Sequence, residues 1–152
     1  MRLLFVCLGN ICRSPMAEAV MRAKIAAIGL DQKITVDSAG TGNWHVGEPP
    51  HQGTQRELKK ASIPYNQIRA RQITTDDFQT FDLIIAMDRQ NEQDLHRLAA
   101  NMNNKANIRR FMTYLNDQPE PDVPDPYYTG RFDEVFDRID RGTDRILETL
   151  IK

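Results

Sequence analysis

The sequence predicts an α/β fold: a single-domain, three-layer structure in which a central twisted four-stranded parallel sheet is flanked by helices. Three observations support this prediction. Short apolar runs alternate with longer helical patterns along the 152 residues. The first run, residues 3–6, is apolar at every position, as is typical of a strand buried on both faces. Strands joined by helices should run parallel, and conspicuous polar motifs follow the ends of the predicted strands, where α/β sheets bind ligands.

Local signals place each element. The predicted order is a strand at 3–6, a helix from 14 to about 28, a strand at about 33–37, a helix at about 51–61, a helical turn opened by 74–77, a strand at 83–87, a helix to about 100, a strand at about 107–111 and a last helix ending near 150. Ser14 and Pro15 suit the N-cap and first position of helix one, and Gly29 suits its end. Residues 74–77 resemble a capping box, and Asp88 is the predicted N-cap of the helix after strand three.

The end of the chain combines a long loop with a strongly amphipathic helix. The apolar positions of that helix follow a helical period: Phe132, Val135, Phe136, Ile139, Thr143, Ile146, Leu147 and Leu150. Residues 113–130 before it contain four prolines and no regular pattern. Long irregular segments in compact domains are usually functional or disordered, and repeated prolines favour a stiffened loop that can hold a side chain in place.

The most specific motif lies between strand one and helix one. Cys7 ends the strand, Arg13 follows six positions later, and the intervening Gly9 and Asn10 tolerate left-handed backbone angles. A helix N-terminus presents unpaired N–H groups that bind anions and favour a thiolate, and the arginine fork suits phosphate. The motif predicts a phosphate-binding loop in which the Cys7 sulfur attacks the phosphorus of a phosphate ester and both terminal nitrogens of Arg13 contact the anion.

The leaving group of such a reaction needs a proton from a carboxylic acid. Three aspartates of the proline-rich loop are candidates: Asp117, Asp122 and Asp125. Asp125 has stiff, less polar neighbours, with Pro124 before it and Pro126 after it, which favours it as the general acid. A charge that only solvates the loop is the simpler interpretation of the other two.

The motifs together resemble the low-molecular-weight protein tyrosine phosphatase family. The resemblance rests on the order and spacing of several blocks along nearly the whole chain: residues 6–18, 37–41, 44, 47–50, 70–73, 81–82, 87–88 and 125–128. It implies that Cys7 is the nucleophile, that Arg13 stabilises the transition state and that Asp125 is the general acid and base. It also implies that Ser14 hydrogen-bonds the thiolate and so makes Cys7 a better leaving group in the second step.

The resemblance extends to binding and support. Residues of the loop would bind the phosphate: Leu8, Gly9, Asn10, Ile11 and Cys12. Trp44 and Tyr127 would flank the phenyl ring, with Tyr128 beside them or partly exposed, and His45 is placed to influence substrate choice. Ser38 would hydrogen-bond Asn10 to fix the loop, and Asp88 would be a helix cap first and a loop support second. The implied partners are tyrosine-phosphorylated proteins, with inorganic phosphate and other oxyanions as inhibitors.

Composition excludes several other classes. A formal net charge of −1 gives no basic excess for nucleic acid, and no apolar run reaches transmembrane length. The apolar start is too short for a signal peptide. Two cysteines build no disulfide scaffold, which favours a cytoplasmic location. His45, His51 and His96 lack metal-ligand spacing, so we expect no metal. We also expect no cofactor, and we expect the protein to be a monomer.

The residues of the chain disfavour three other functions that use a similar cysteine loop or phosphate site. A thiol-dependent arsenate reductase passes a disulfide to further cysteines, but none follows Cys12. A phosphocysteine carrier of a sugar transport system would not need Arg13 and Asp125 together. A non-catalytic phosphate-binding or interaction module would not need Cys7, Arg13 and Asp125 all at once.

Overall fold

A parallel sheet forms the centre of the computed structural model, which describes residues 1–103, 106–117 and 119–152. Over these residues it contains four strands in the order β2-β1-β3-β4, all parallel. Their bounds are β1 Arg2–Cys7, β2 Thr35–Gly40, β3 Leu83–Ala86 and β4 Asn107–Arg110. The predicted α/β fold and its parallel sheet are confirmed.

Helices cover both faces of the sheet. They are α1 Arg13–Ala27, α2 Gln52–Lys60, α3 Asp77–Thr80, α4 Arg89–Ala99, α5 Pro126–Thr129 and α6 Phe132–Leu150, with a 3₁₀ turn at Phe111–Tyr114. The predicted N-cap Asp88 is confirmed, because its Oδ1 accepts the N–H of Asn91 at 2.7 Å. The predicted turn after residue 74 is also present, and Asp77 accepts the N–H of Thr74 at 2.8 Å. Among the described residues, no helix is both long and apolar enough to span a membrane.

The core has two parts because successive side chains of β1 point to opposite faces. Leu3 and Phe5 pack with apolar residues of α1, α2 and α6 on one face, whereas Leu4 and Val6 pack with those of α3 and α4 on the other. Each of these four β1 side chains is fully buried. The three layers therefore meet at β1, and its continuous apolar run correctly predicted a strand buried on both faces.

Three local expectations were wrong. Strand β2 starts at Thr35 and continues to Gly40, because Ile34 still belongs to a turn, with its N–H bonded to the Leu30 carbonyl at 2.9 Å. Ser38 therefore lies inside β2 rather than after it. Ser14 is not the N-cap of α1: the helix begins at Arg13 with Cys12 as N-cap, and no side chain caps it.

The third difference is in the proline-rich loop, where a short helix was not expected. Helix α5 forms because Asp125 accepts the N–H of Tyr127 at 3.1 Å, Pro126 occupies the first helical position, and Gly130 ends the helix with φ +74°. These are ordinary start and stop signals. The helix between these signals has only four residues, which are too few to show a periodic pattern of apolar side chains.

The sheet order creates a crevice at the carboxyl end of β1. From β1 the chain crosses to β2 on one side, and β3 joins β1 on the other side. Such a reversal of strand order separates the two connections and leaves an opening between them, which is the usual ligand position in α/β folds. The segment from Cys7 to Arg13 starts at this point.

Candidate active site

Cys7 ends β1 with its side chain almost fully buried at the base of the crevice. The Sγ atom accepts the N–H of Asn10 at 3.3 Å and lies 3.0 Å from the Ser14 Oγ. Because that Oγ already accepts a hydrogen bond from Asn10 Nδ2 at 2.8 Å, the Ser14 hydroxyl proton is available for the sulfur. Ser14 thus lies in the first turn of α1 with its hydroxyl directed at Cys7.

The carbonyl groups of the loop are bonded outward by the segments around it. The Cys7 carbonyl accepts the N–H of Thr41 at 3.0 Å, the Leu8 carbonyl that of Gly42 at 2.9 Å, and the Ile11 carbonyl that of His51 at 2.7 Å. In a trans peptide the C=O and N–H groups point in opposite directions. Holding these carbonyls outward therefore turns the following N–H groups inward, toward the Cys7 sulfur, where they form an anion site at the start of α1.

Asn10 supports the loop from within. Its φ is +57°, in the left-handed region that asparagine tolerates, and its side chain is buried. Both amide protons are used, on Ser14 and on Ser38 Oγ at 2.9 Å, and Oδ1 accepts the N–H of Arg71 at 3.0 Å. The predicted contact between Ser38 and Asn10 is present. Asn10 itself contributes its backbone N–H to the loop, and its side chain fixes the turn.

A buried carboxylate completes this network, and nothing in the sequence predicted a role for it. Glu18 of α1 accepts a hydrogen bond from Ser38 at 2.6 Å and one from Arg22 at 2.5 Å. Burial raises the pKa of Glu18 above its ordinary value, although Ser38 and Arg22 act in the opposite direction. Its position four residues after Ser14, inside the α1 pattern, gives no sequence signal for a partner in β2.

Arg13 is oriented by two groups outside the loop. Its Nη1 donates to Asp88 Oδ2 at 2.7 Å and to the Val123 carbonyl at 2.9 Å, while Nη2 lies 3.5 Å from Asp125 Oδ2. Burial opposes the guanidinium charge, but Cys7, Asp125 and Asp88 together raise the pKa of Arg13 above its ordinary value. Because Nη1 has both protons engaged, the expectation that both terminal nitrogens face an anion is wrong here; Nη2 and Nε are the donors left for it.

The three candidate aspartates have different surroundings. Asp125, directly before α5, lines the same crevice as Cys7 and Arg13. Asp122 instead accepts the N–H of Arg89 at 2.9 Å, and Asp117 lies 3.9 Å from Arg141. Neither is among the described residues that line the crevice. Only Asp125 therefore has the location that a proton donor to a bound ester requires.

The crevice has a volume of about 230 Å³ and an aromatic rim. The loop residues and rim side chains that line it are Leu8, Gly9, Ile11, Cys12, Trp44, His45, Tyr127 and Tyr128. The rim aromatics are exposed: 68% for Trp44, 54% for Tyr127 and 77% for Tyr128. Trp44 stands over Gly42, where an added Cβ would come within 1.9 Å of the indole ring. Aromatic faces at this position suit a flat ring that leads down to the sulfur.

Two histidines lie beside Tyr127, His45 and His51, with ring centroids 6.5 and 6.0 Å from that of the tyrosine. His45 Nδ1 pairs with Glu48 Oε2 at 2.8 Å. His51 caps α2 by accepting the N–H of Gly53 at 3.0 Å, and its ring stacks on Phe132 at 4.9 Å. The only sequence signal for this capping role was the position of His51 at the start of the helix predicted at about 51–61.

Cys12 lines the same crevice, and its thiol is buried. Burial raises the pKa of the Cys12 thiol far above its usual range, and nearby Cys7 and Asp125 add to the rise. Both cysteines are free thiols. Cys12 therefore stays protonated at neutral pH and is a poor nucleophile. No set of three or more histidine, cysteine or acidic side chains within the described ranges is placed to hold a metal ion.

Comparison with known proteins gives a consistent result. The family model described as low molecular weight phosphotyrosine protein phosphatase matches residues 2–152. A curated relative from Bacillus subtilis (strain 168), named low molecular weight protein-tyrosine-phosphatase YfkJ, is 49% identical over 149 residues, which cover 98% of this chain and 95% of the relative. The crystal structure of YfkJ superposes with a TM-score of 0.95 at 48% identity, covering 99% of this chain and 94% of that one.

A second solved structure broadens the comparison. The crystal structure described as a Drosophila arginine phosphatase has a TM-score of 0.94 at 34% identity and covers 100% of this chain and 99% of its own. Both the family model and the relatives extend over almost the whole chain, including every segment that contributes to the crevice. The chain therefore belongs to the low molecular weight phosphotyrosine protein phosphatase family.

Proposed function

We propose that residues 1–152 form one catalytic domain that hydrolyses phosphotyrosine in protein substrates, and small aryl phosphates, through a phosphocysteine at Cys7. The observation that supports this most directly is the placement of the Cys7 sulfur. It lies under inward-facing N–H groups, 3.0 Å from the Ser14 hydroxyl, in a crevice that Arg13 and Asp125 also line. A nucleophile, a cation and a carboxyl group then face one bound phosphate.

The phosphate of the substrate would be held by electrostatics before any bond changes. The N–H groups of the loop, apart from that of Asn10, which donates to the Cys7 sulfur, would donate to its three non-bridging oxygens together with Nη2 and Nε of Arg13. Phosphoryl transfer depends mainly on positioning and on charge stabilisation, which preorganised donors supply. Inorganic phosphate, sulfate and vanadate should bind in the same place and inhibit the enzyme competitively.

In the first step, the Cys7 sulfur would attack phosphorus as the bond from phosphorus to the tyrosine oxygen breaks. Protonated Asp125 would give its proton to that oxygen, so that tyrosine leaves as a neutral phenol. In the second step, a water oxygen would attack phosphorus while Asp125 takes a proton from the water. The sulfur–phosphorus bond breaks, inorganic phosphate forms, and the Ser14 hydroxyl stabilises the departing thiolate.

The rim favours phosphotyrosine over phosphoserine. The phosphate site lies at the bottom of the crevice, and Trp44 and Tyr127 border its mouth. A phosphate on a phenyl ring extends further from the peptide backbone than a phosphate on serine, and the ring can pack against aromatic walls. Because one structural relative is described as an arginine phosphatase, phosphoarginine is the informative third substrate. We expect kcat/KM to be highest for the phosphotyrosine peptide of a set matched in sequence.

The experiment that tests the function measures p-nitrophenyl phosphate hydrolysis in the presence of a metal chelator. We expect turnover to persist with the chelator and to be lost in Cys7→Ser, while Cys12→Ser retains it. Phosphate binding without turnover would instead support the non-catalytic module. Thiol-dependent reduction of arsenate without ester hydrolysis would support the reductase. Comparable kcat/KM values for phosphoserine and phosphotyrosine peptides would contradict the assigned substrate class.

Two further expectations concern the molecule in the cell. We propose that the protein acts as a monomer, since a single chain already brings Cys7, Arg13 and Asp125 together in one crevice; sedimentation at working concentration tests this. The cytoplasmic location stays a prediction, based on the two free thiols that a reducing compartment would preserve.

A further inference from the structure

We infer that Thr54, a buried threonine of α2, is a positioning residue of the phosphate-binding loop. The inference rests on the proposed function and adds to it a side chain that lies outside the loop and the crevice. Thr54 is completely buried, and its hydroxyl donates a hydrogen bond to the Cys12 carbonyl at 3.1 Å. A threonine inside a helix more often bonds a carbonyl of its own preceding turn, so this contact to another segment needs a reason.

The bonded carbonyl belongs to the peptide that joins the loop to α1. In that peptide, the Cys12 C=O and the Arg13 N–H point in opposite directions. The hydroxyl of Thr54 therefore fixes the direction of the Arg13 N–H, which faces the anion site. The helix provides only one other bond to the same carbonyl, from the Met16 N–H at 3.3 Å. The contact from Thr54 is the shorter of the two.

The start of α2, where Thr54 lies, is held in place by contacts on two sides. The N-cap residue of α2, His51, also contacts the loop, since its N–H donates to the Ile11 carbonyl at 2.7 Å. From the opposite side, Phe132 of α6 packs so closely on Gly53 that an added Cβ would lie 2.5 Å from the ring. The start of α2 is thus held between α6 and the loop, and it sets two successive peptide planes of the phosphate site.

The consequence concerns anion affinity rather than folding. Replacing Thr54 by valine keeps the shape of the side chain and leaves the Cys12 carbonyl bonded to Met16. The loop stays assembled, but the Arg13 N–H loses its fixed direction toward the oxygen that it donates to. Because the change removes one neutral hydrogen bond, we expect the phosphate inhibition constant to rise about 2- to 10-fold.

The experiment compares Thr54→Val with Thr54→Ser, which retains the hydroxyl. For each variant and the unmutated protein, inorganic phosphate inhibition, kcat and KM for p-nitrophenyl phosphate, and Tm are measured. We expect Thr54→Val to weaken phosphate binding and lower kcat/KM, and Thr54→Ser to restore both. The matched control is Thr143→Val. Thr143 is also completely buried, but its hydroxyl donates to the Ile139 carbonyl of its own helix at 2.7 Å. It also accepts a hydrogen bond from Lys24 Nζ at 2.9 Å, in the last turn of α1, at the end of that helix opposite the loop.

The outcomes separate this inference from the proposed function. If Thr54→Val and Thr143→Val lower Tm but leave phosphate inhibition unchanged, Thr54 only stabilises the fold and the inference is wrong. The inference also fails if Thr54→Ser behaves like Thr54→Val. If instead the unmutated protein neither binds phosphate nor hydrolyses the ester, the proposed function itself fails.

Discussion

The guanidinium of Arg13 is set in place before any substrate arrives. Asp88 and the Val123 carbonyl occupy the two protons of Nη1, which leaves one edge of the planar group turned toward the loop. Preorganised donors need no rearrangement when charge develops on the phosphoryl oxygens, and this is a main source of catalytic power. Asp88 was predicted as a helix cap first and a loop support second; it caps α4, and it contacts the loop through Arg13.

The choice between aspartates leads to a prediction about leaving groups. Asp125→Asn cannot donate a proton, so it should slow esters of poor leaving groups most. Phenyl phosphate should lose about 10²- to 10⁴-fold in rate, the usual contribution of a general acid, and a nitrophenyl ester far less. The measurement is the slope of log rate against leaving-group pKa across a series of aryl phosphates.

Asp122→Asn is the matched control for that slope. Asp122 bonds the Arg89 N–H and lies away from the crevice, so the variant should keep the slope of the unmutated protein. A steeper slope in Asp122→Asn, together with an unchanged slope in Asp125→Asn, would show that the wrong carboxylate has been chosen.

At the scale of elements, the site depends on how segments distant in the chain meet at one strand end. Local signals predicted where most helices and strands lie, because caps, glycine stops and apolar periods are properties of neighbouring residues. They also placed Cys7 and Arg13 on one loop. They could not predict that Arg71 would bond Asn10, or that Thr54 would reach Cys12. Those contacts depend on tertiary packing, and no residue near Thr54 in the sequence indicates them.

The carboxyl group of Glu18 joins α1 to β2 and gives a prediction about pH. Burial raises its pKa in the folded protein above the unfolded value, which is about 4.3 for an ordinary glutamate. Its contribution to the free energy of unfolding is therefore fully present below the unfolded pKa, and it is lost as pH rises through the folded pKa. Glu18→Gln keeps an acceptor for Ser38 but has no group that titrates at this position. Its free energy of unfolding therefore lacks the pH-dependent change that Glu18 causes.

Denaturant unfolding of both proteins across the acid range tests this sign. Relative to Glu18→Gln, the unmutated protein should become less stable as pH rises from about 4 to neutrality. Glu148→Gln, an exposed position of α6, is the control and should give a difference that does not change with pH. A difference between Glu18→Gln and the unmutated protein that is constant, or that changes in the opposite direction, would contradict the account.

At the scale of the whole molecule, the C-terminal helix closes the face of the sheet that supports the loop. Gly142 of α6 lies against the buried ring of Phe111, which in turn packs on Phe5 of β1 with ring centroids 6.3 Å apart. A Cβ at Gly142 would come within 2.2 Å of the Phe111 ring. The helix can approach the sheet only because this position has no side chain. The amphipathic stripe predicted α6, but it gave no sign of this close contact.

Gly142→Ala should therefore destabilise the protein. Alanine is favoured over glycine within a helix by about 1 kcal/mol, but overpacking a core typically costs about 1–3 kcal/mol. We expect a net loss in the free energy of unfolding, measured by denaturant titration. Glu148→Ala on the exposed face of the same helix should stay within about 0.5 kcal/mol of the unmutated protein. A gain in stability for Gly142→Ala would mean that the contact with Phe111 is not close.

The central claim is that phosphate is transferred to the sulfur of Cys7, and rapid-quench mass spectrometry tests it most directly. The protein is mixed with p-nitrophenyl phosphate, quenched within one turnover, digested and mapped for phosphorylated peptides. We predict a phosphoryl group on Cys7 that appears as nitrophenol is released, decays as inorganic phosphate forms, and is absent in Cys7→Ser. Release of nitrophenol without phosphorylated Cys7, or turnover by Cys7→Ser at a rate comparable with that of the unmutated protein, would contradict the mechanism.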